Sequence, residues 1–269
     1  MALRILSLNV WGGKLHAALI PYLVEANADV LCLQEVVRSP ETTSDWLLYR
    51  DRDVELPQRA NLFDEIRAAL PDHDGSFFPT SRGELHDGDG MVHAEFGLAT
   101  FVRKSFPVIG QALGFVHGAF SPDGWGDHPR PRNAHCLRLV DYESGCSITI
   151  AQMHGLRTEN GKGDTPERQA QADALVRLIG GIWPGNEKLV VCGDLNLLPD
   201  SATFDALGAL GLADLVTGRG HTDTRTSYYG KPGRFADYML ATPDVEVVGF
   251  DVIEQPEVSD HRALLLDLR

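Results

Sequence analysis

The sequence predicts an α/β fold in which two mixed β-sheets pack face to face beneath outer helices. Three observations lead there. Short apolar runs of strand character recur along the whole of the 269 residues. Some follow one another at hairpin spacing and others are separated by helical stretches, so parallel and antiparallel pairings are both expected. Roughly ten strands would be wide for one open sheet, and division into two packed sheets is the usual escape.

In chain order, residues 4–10 alternate apolar and polar side chains before WGG stops the run. Strand-like runs follow at 30–34, 98–102, 137–142, 147–154, 188–192, 235–240, 245–253 and 263–268. A helix over 15–26 has an apolar face from Leu15, Leu19, Tyr22 and Leu23, with Pro21 in its middle as a kink signal. Asn61 is placed to cap a helix over 62–70, with Asp64 and Glu65 in its first turn. Thr165, Pro166 and Glu167 form a stronger start signal for a helix running to about Gly180. Asp200 or Ser201 caps a shorter helix ending at Gly211. Residues 37–60, 80–94 and 114–133 read as long loops around a site, and no linker separates them into domains, so residues 1–269 are expected to form one domain.

The chain carries 24 Lys and Arg against 38 Asp and Glu, a formal charge of −14, which argues against a broad grip on nucleic acid. No run approaches the roughly 20 apolar residues a membrane-crossing helix needs. The opening MALRILSLNVWGG is too short and too interrupted for a secretory signal, so a cytoplasmic protein is expected, most simply a monomer. Cys32, Cys136, Cys146 and Cys192 each read as strand residues, with no zinc-type spacing, and buried reduced thiols are expected.

The informative residues are polar ones at the ends of apolar runs. Asn9 ends the first and Glu35 the second, and His154 ends ITIAQMHG. Asp194 and Asn196 close LVVCGDLN, Asp237 interrupts RFADYML, and Asp260 and His261 open the last run. Each alone is better explained as a turn residue or a partly buried polar tip. Together they are hard to dismiss, because reacting groups collect outside strand ends. Carboxylates and Asn amides are hard oxygen ligands suited to Mg²⁺ or Mn²⁺, and histidines beside such an ion can donate to phosphate oxygens. The inventory is that of phosphate-ester hydrolysis.

These motifs make the sequence resemble the endonuclease/exonuclease/phosphatase superfamily. LNV at 8–10, LQEV at 33–36, GDLN at 193–196 and SDHRALL at 259–265 occur in the family's order and span nearly the whole chain. The resemblance implies a four-layered α/β/β/α sandwich of the deoxyribonuclease I kind and a metal-dependent phosphoesterase. It implies Glu35 as the main metal ligand with Asn9 and Asp260 nearby, Asp194 orienting or deprotonating the attacking water, and Asn196 on the phosphate. His261 would face the scissile phosphate, oriented by Asp237. His154 would be the second histidine, paired with Glu95. Arg157 and Arg38 are candidate substrate contacts, as are Arg132 and Lys231 from neighbouring loops. Trp11, Trp125, Tyr228 and Tyr229 are candidates to stack on a base or sugar.

Two other motifs are set aside. HDGDG at 86–90 lacks the rest of a calcium loop, and GKGD at 161–164 lacks the glycine spacing of a phosphate loop, so both read as turns. For substrate, a small or lipid-derived phosphate ester is preferred. A DNA or RNA nuclease using the same residues is the alternative, and a catalytically inactive binding scaffold is the third reading.

Overall fold

The computed structural model describes residues 2–51, 54–159 and 161–269. Among the described residues fourteen strands, β1 (Leu3–Asn9), β2 (Val30–Arg38), β3 (Trp46–Asp51), β4 (Val54–Arg59), β5 (His73–Asp87), β6 (Gly90–Arg103), β7 (Val108–His117), β8 (Arg132–Val140), β9 (Ser147–Met153), β10 (Lys188–Asp194), β11 (Ala213–Asp214), β12 (Asp237–Ala241), β13 (Val247–Val252) and β14 (Leu264–Leu268), form two mixed sheets. One runs β13-β14-β1-β2-β6-β5-β3-β4, the other β11-β12-β10-β9-β8-β7. The helices are α1 (His16–Glu25), α2 (Leu62–Ala69), α3 (Pro166–Gly180), α4 (Thr203–Gly208) and α5 (Leu215–Gly218).

Side-chain alternation builds the layers. In β1, Leu3 and Ile5 enter the core shared with the second sheet, while Leu6 and Leu8 join the cluster beneath α1 and α2. β2 repeats the division, with Val30 and Cys32 between the sheets and Leu31 and Leu33 under the helices. On the far side, Leu175 and Ile179 of α3 and Leu207 of α4 pack against the second sheet. The order is helices, sheet, sheet, helices.

The parallel pairs β1–β2 and β9–β10 lie at the centres of the two sheets. Asn9, His154 and Asp194, at or just beyond the ends of these strands, are thereby brought to one rim of the sandwich. Beneath that rim a buried polar ladder joins the sheets. Gln34 Nε2 donates to Gln152 Oε1 at 3.0 Å, Gln152 Nε2 donates to Thr100 Oγ1 at 2.7 Å, and Thr100 Oγ1 lies 2.9 Å from His135 Nδ1.

Several sequence expectations are corrected. Residues 37–60 hold the β3–β4 hairpin, 80–94 belong to the long β5–β6 ribbon, and part of 114–133 is the end of β7. These strands carry polar and aromatic side chains over partly exposed sheet, so no apolar run marked them. Pro21 sits inside an uninterrupted α1. Asn61 does stand at the start of α2, but its Oδ1 accepts from Ser39 N rather than capping the helix. Thr165 caps α3 as expected, accepting from Arg168 N. The shorter helix is preceded by Ala202 and ends before Gly211, and Asp214 caps the unanticipated α5. Cys146 is exposed in the turn before β9, whereas Cys32, Cys136 and Cys192 are buried, and all four are free thiols.

Candidate active site

Asp194 Oδ2 is the focus of the rim. It accepts from Asn9 Nδ2 at 3.0 Å and lies 3.6 Å from both His154 Nε2 and His261 Nε2. Two glycines permit this convergence. A Cβ on Gly193, whose φ is +134°, would lie 2.1 Å from Met153 O, and one on Gly155 would lie 2.2 Å from Leu195 O. The backbones carrying His154 and Asp194 therefore approach more closely than any side-chained residue would allow.

Glu35 reaches the rim by a different device. Strict alternation would turn it away from Gln34 and toward the helices. The β2–β6 register instead shifts between Leu33 and Val36, and Glu35 adopts φ +58° within that irregularity. A bulge re-aims a side chain in this way, and a left-handed non-glycine residue is typical of functional positions. Glu35 Oε1 lies 3.8 Å from His154 Nε2. Asn196 also adopts a left-handed conformation, φ +53°, which lets its backbone N–H donate to Asp194 Oδ1 at 3.1 Å while its Nδ2 faces Gly155 O.

His261 Nδ1 lies 2.9 Å from each oxygen of Asp237. Its Nε2 takes a short contact from Arg225, whose guanidinium also donates to Asp260 Oδ2 at 3.2 Å. A ring nitrogen facing a guanidinium must accept, so the proton belongs on Nδ1, toward Asp237. Burial, followed by the Arg225 charge, pushes the His261 imidazole down to about 4. Burial pushes the Asp237 carboxyl up to about 7, although the Arg225 charge pulls the other way. His154 is likewise held well below the usual imidazole range by burial and by Arg132. Both imidazoles are therefore neutral at the resting site.

The remaining sequence candidates separate into those the fold gathers and those it does not. Asn9 is buried and spans between Asp194 and the Trp11 N–H, which donates to its Oδ1 at 3.0 Å. Arg132 is buried at the site, donating to Gly155 O at 2.9 Å, and burial pushes it down to about 10. Arg157 is exposed at the mouth, close enough to influence Glu35 and His154 by charge. Glu95 is not paired with His154: among the described residues no hydrogen bond or ion pair joins them. Its carboxylate instead faces Arg38, its cross-strand partner, at 3.9 Å. Phe96 is the residue of β6 whose ring lies near His154, 6.5 Å between centroids, and alternation turns the adjacent Glu95 the other way. Arg38 is shared between Glu95 and Asp64. Lys231 is exposed, and Trp125 packs over Gly83 and Tyr49. Arg225, buried at the centre, had no local signal, because TRTS lies in no apolar run.

Oxygen and nitrogen donors of Asp194, Asp237 and His261 all lie within 4.8 Å of one another, a buried group able to hold a metal ion. The acids beside it fit a divalent cation as well. Asp260 Oδ1 is buried and, among the described residues, accepts no hydrogen bond, with His261 Nε2 3.8 Å away; burial pushes the carboxyls of both Asp260 and Glu35 upward. An unpartnered carboxylate oxygen among acids whose ionisation is suppressed is what a hard cation would satisfy.

Two packed mixed sheets thus carry carboxylates and two histidines at one rim, including a buried group able to hold a metal ion. Residues 6–261 match the Endonuclease/Exonuclease/phosphatase family, and the chain belongs to that family. No curated protein matches the sequence. Among solved structures, the fold is similar to an endonuclease/exonuclease/phosphatase from Bacteroides vulgatus, with TM-score 0.70 and 19% identity over 100% of this chain and 99% of that one. A mannosyl-6-phosphatase from Bacteroides thetaiotaomicron is similar at TM-score 0.69 and 15% identity, over 99% of each chain. TDP2 from D. rerio, complexed with single-strand DNA product, is similar at TM-score 0.65 and 18% identity, over 100% of this chain and 99% of that one.

Proposed function

We propose that the protein hydrolyses a phosphodiester or phosphomonoester by in-line attack of an activated water, with a small or lipid-derived phosphate ester as substrate. The observation that carries this reading is the convergence of His154 Nε2 and His261 Nε2 at 3.6 Å from one carboxylate oxygen of Asp194. Asp194, held by Asn9 and by the Asn196 N–H, is the group that orients and deprotonates the water. His261, its proton kept on Nδ1 by Asp237, presents Nε2 toward the phosphoryl group. The proton that Asp194 takes from the water could pass on to His261 Nε2, 3.6 Å away, and create an imidazolium that Asp237 stabilises. Asn196 and His154 would donate to phosphoryl oxygens, with Arg157 at the mouth as a further cation.

Glu35 and Asp260, with Asn9 beside them, would hold Mg²⁺ or Mn²⁺, which when bound neutralises charge on the phosphoryl oxygens. The formal charge of −14 supports a compact substrate over an extended polyanion. A nuclease is the second reading, favoured by the exposed Tyr228 ring 6.0 Å from Trp11, a pair suited to stacking on a base.

The test is hydrolysis of bis-p-nitrophenyl phosphate, p-nitrophenyl phosphate and plasmid DNA with Mg²⁺, Mn²⁺ or EDTA. Cleavage of the small esters that EDTA abolishes is expected. Efficient plasmid nicking with poor ester turnover would favour the nuclease. No metal-dependent cleavage of any of the three would defeat the hydrolase and leave a binding scaffold.

A further inference from the structure

The GKGD segment, which as sequence reads only as a turn, is built into the rim of the site. Arg168 of α3 is almost completely buried, and it grips the backbone on both sides of Lys162. Its Nη1 donates to Gly163 O at 2.7 Å, and its Nη2 donates to Gly161 O at 2.9 Å and Leu156 O at 3.1 Å. Asp164 is fixed in turn by Ser201 Oγ at 2.6 Å and Ala202 N at 2.9 Å. A fully desolvated guanidinium spent on three carbonyls is a costly way to shape a simple surface turn.

What that shape presents is the Lys162 ammonium. It donates to Phe235 O and to Gly233 O, the latter at 3.2 Å, in the segment leading into Asp237. The Tyr229 ring lies 5.9 Å away, and Arg225, Asp194 and Asp237 are near enough to act on it by charge. Among the described residues no carboxylate forms an ion pair with Lys162. Burial accordingly pushes its amine down to about 8. An ammonium has three donors, and two are used here.

We propose that Lys162 is an oxyanion-binding residue of this site, giving its remaining N–H to a phosphoryl oxygen of the substrate. The inference rests on the phosphoesterase reading for the identity of the anion, and it assigns this residue a role in binding rather than in proton transfer. An incoming phosphate supplies the direct ion-pair partner that Lys162 lacks among the described residues. The Arg168 grip keeps the lysine from retreating into solvent, so little order is lost on binding.

The experiment measures inorganic phosphate binding, with Mg²⁺ present, to wild type, Lys162→Met and Lys162→Arg. Loss of one charge-assisted hydrogen bond is expected to weaken binding by roughly tenfold or more in Lys162→Met. Lys162→Arg should retain most of the affinity. In turnover, Lys162→Met should raise KM with kcat nearly held. Unchanged phosphate affinity in Lys162→Met, or a fall in kcat at constant KM, overturns the proposal and leaves only a strut for the strand bearing Asp237. Amine acetylation of wild type, read by peptide mass spectrometry, gives the answer without a variant. Phosphate should slow labelling at Lys162 but not at exposed Lys231, and equal labelling at Lys162 with and without phosphate also overturns it. If phosphate protects Lys162 while no ester is cleaved, the anion site stands and the hydrolase reading falls. If esters are cleaved without protection, the reverse holds.

Discussion

His261 Nδ1 lies 2.9 Å from both oxygens of Asp237, so a single buried carboxylate fixes both the orientation and the tautomer of the imidazole that faces Asp194. Asp237→Asn preserves shape but offers an N–H where the ring needs an acceptor. Turnover of an activated phosphate ester is expected to fall by about 10²–10⁴-fold. The thermal midpoint should stay close to wild type. Wild-type turnover in this variant would remove Asp237 from the mechanism.

Glu35→Gln removes a charge while keeping the bulged backbone that aims it. Mn²⁺ affinity, followed by calorimetry or paramagnetic resonance, should drop by roughly tenfold or more. If Mn²⁺ binds the variant as tightly as wild type, the cation is held elsewhere, and the group of Asp194, Asp237 and His261 becomes the place to look.

Gly193→Ala tests the close approach of β9 and β10. The added Cβ would sit 2.1 Å from Met153 O at a backbone conformation that side-chained residues avoid. A loss of about 3 kcal/mol or more is expected in denaturant unfolding, with activity lost more steeply because Asp194 is displaced. A variant of wild-type stability would show that the two strand ends can relax apart freely.

His135 supplies an acid-stability prediction away from the metal ligands. Burial pushes its imidazole down to about 4, against about 6.5 in the unfolded chain. Between those values the unfolded state binds the extra proton, so stability is intact above pH ~6.5 and falls as pH drops toward ~4. The full loss is roughly 3 kcal/mol and levels off below the folded value. Measured in EDTA, His135→Gln should show a shallower decline over this window, and identical slopes would contradict the assignment.

The site was more legible in the sequence than the sheets were. Asn9, Glu35, His154, Asp194, Asp237 and His261 stood out as a set, because so many polar groups at the ends of apolar runs are costly to bury without a task. Strands β3, β4 and β5 did not, because a ribbon exposed on one face needs no continuous apolar pattern. The Glu95–His154 pairing failed for a related reason. Which face of β6 a residue occupies depends on register, and register is a property of the paired strands.

By itself the sequence determined the composition of the rim: which carboxylates, amides and histidines terminate strands, in what order, and hence what chemistry they can supply. Tertiary structure alone decided the geometry among them. The φ +58° bulge that turns Glu35 inward, the placement of Arg225 between His261 and Asp260, and the Arg168 grip that presents Lys162 all arise from contacts between distant segments. Local pattern encodes burial and backbone preference, which act over a few residues. The distances that make a catalytic site are set only when two sheets close on one another and every buried polar group has found its partner.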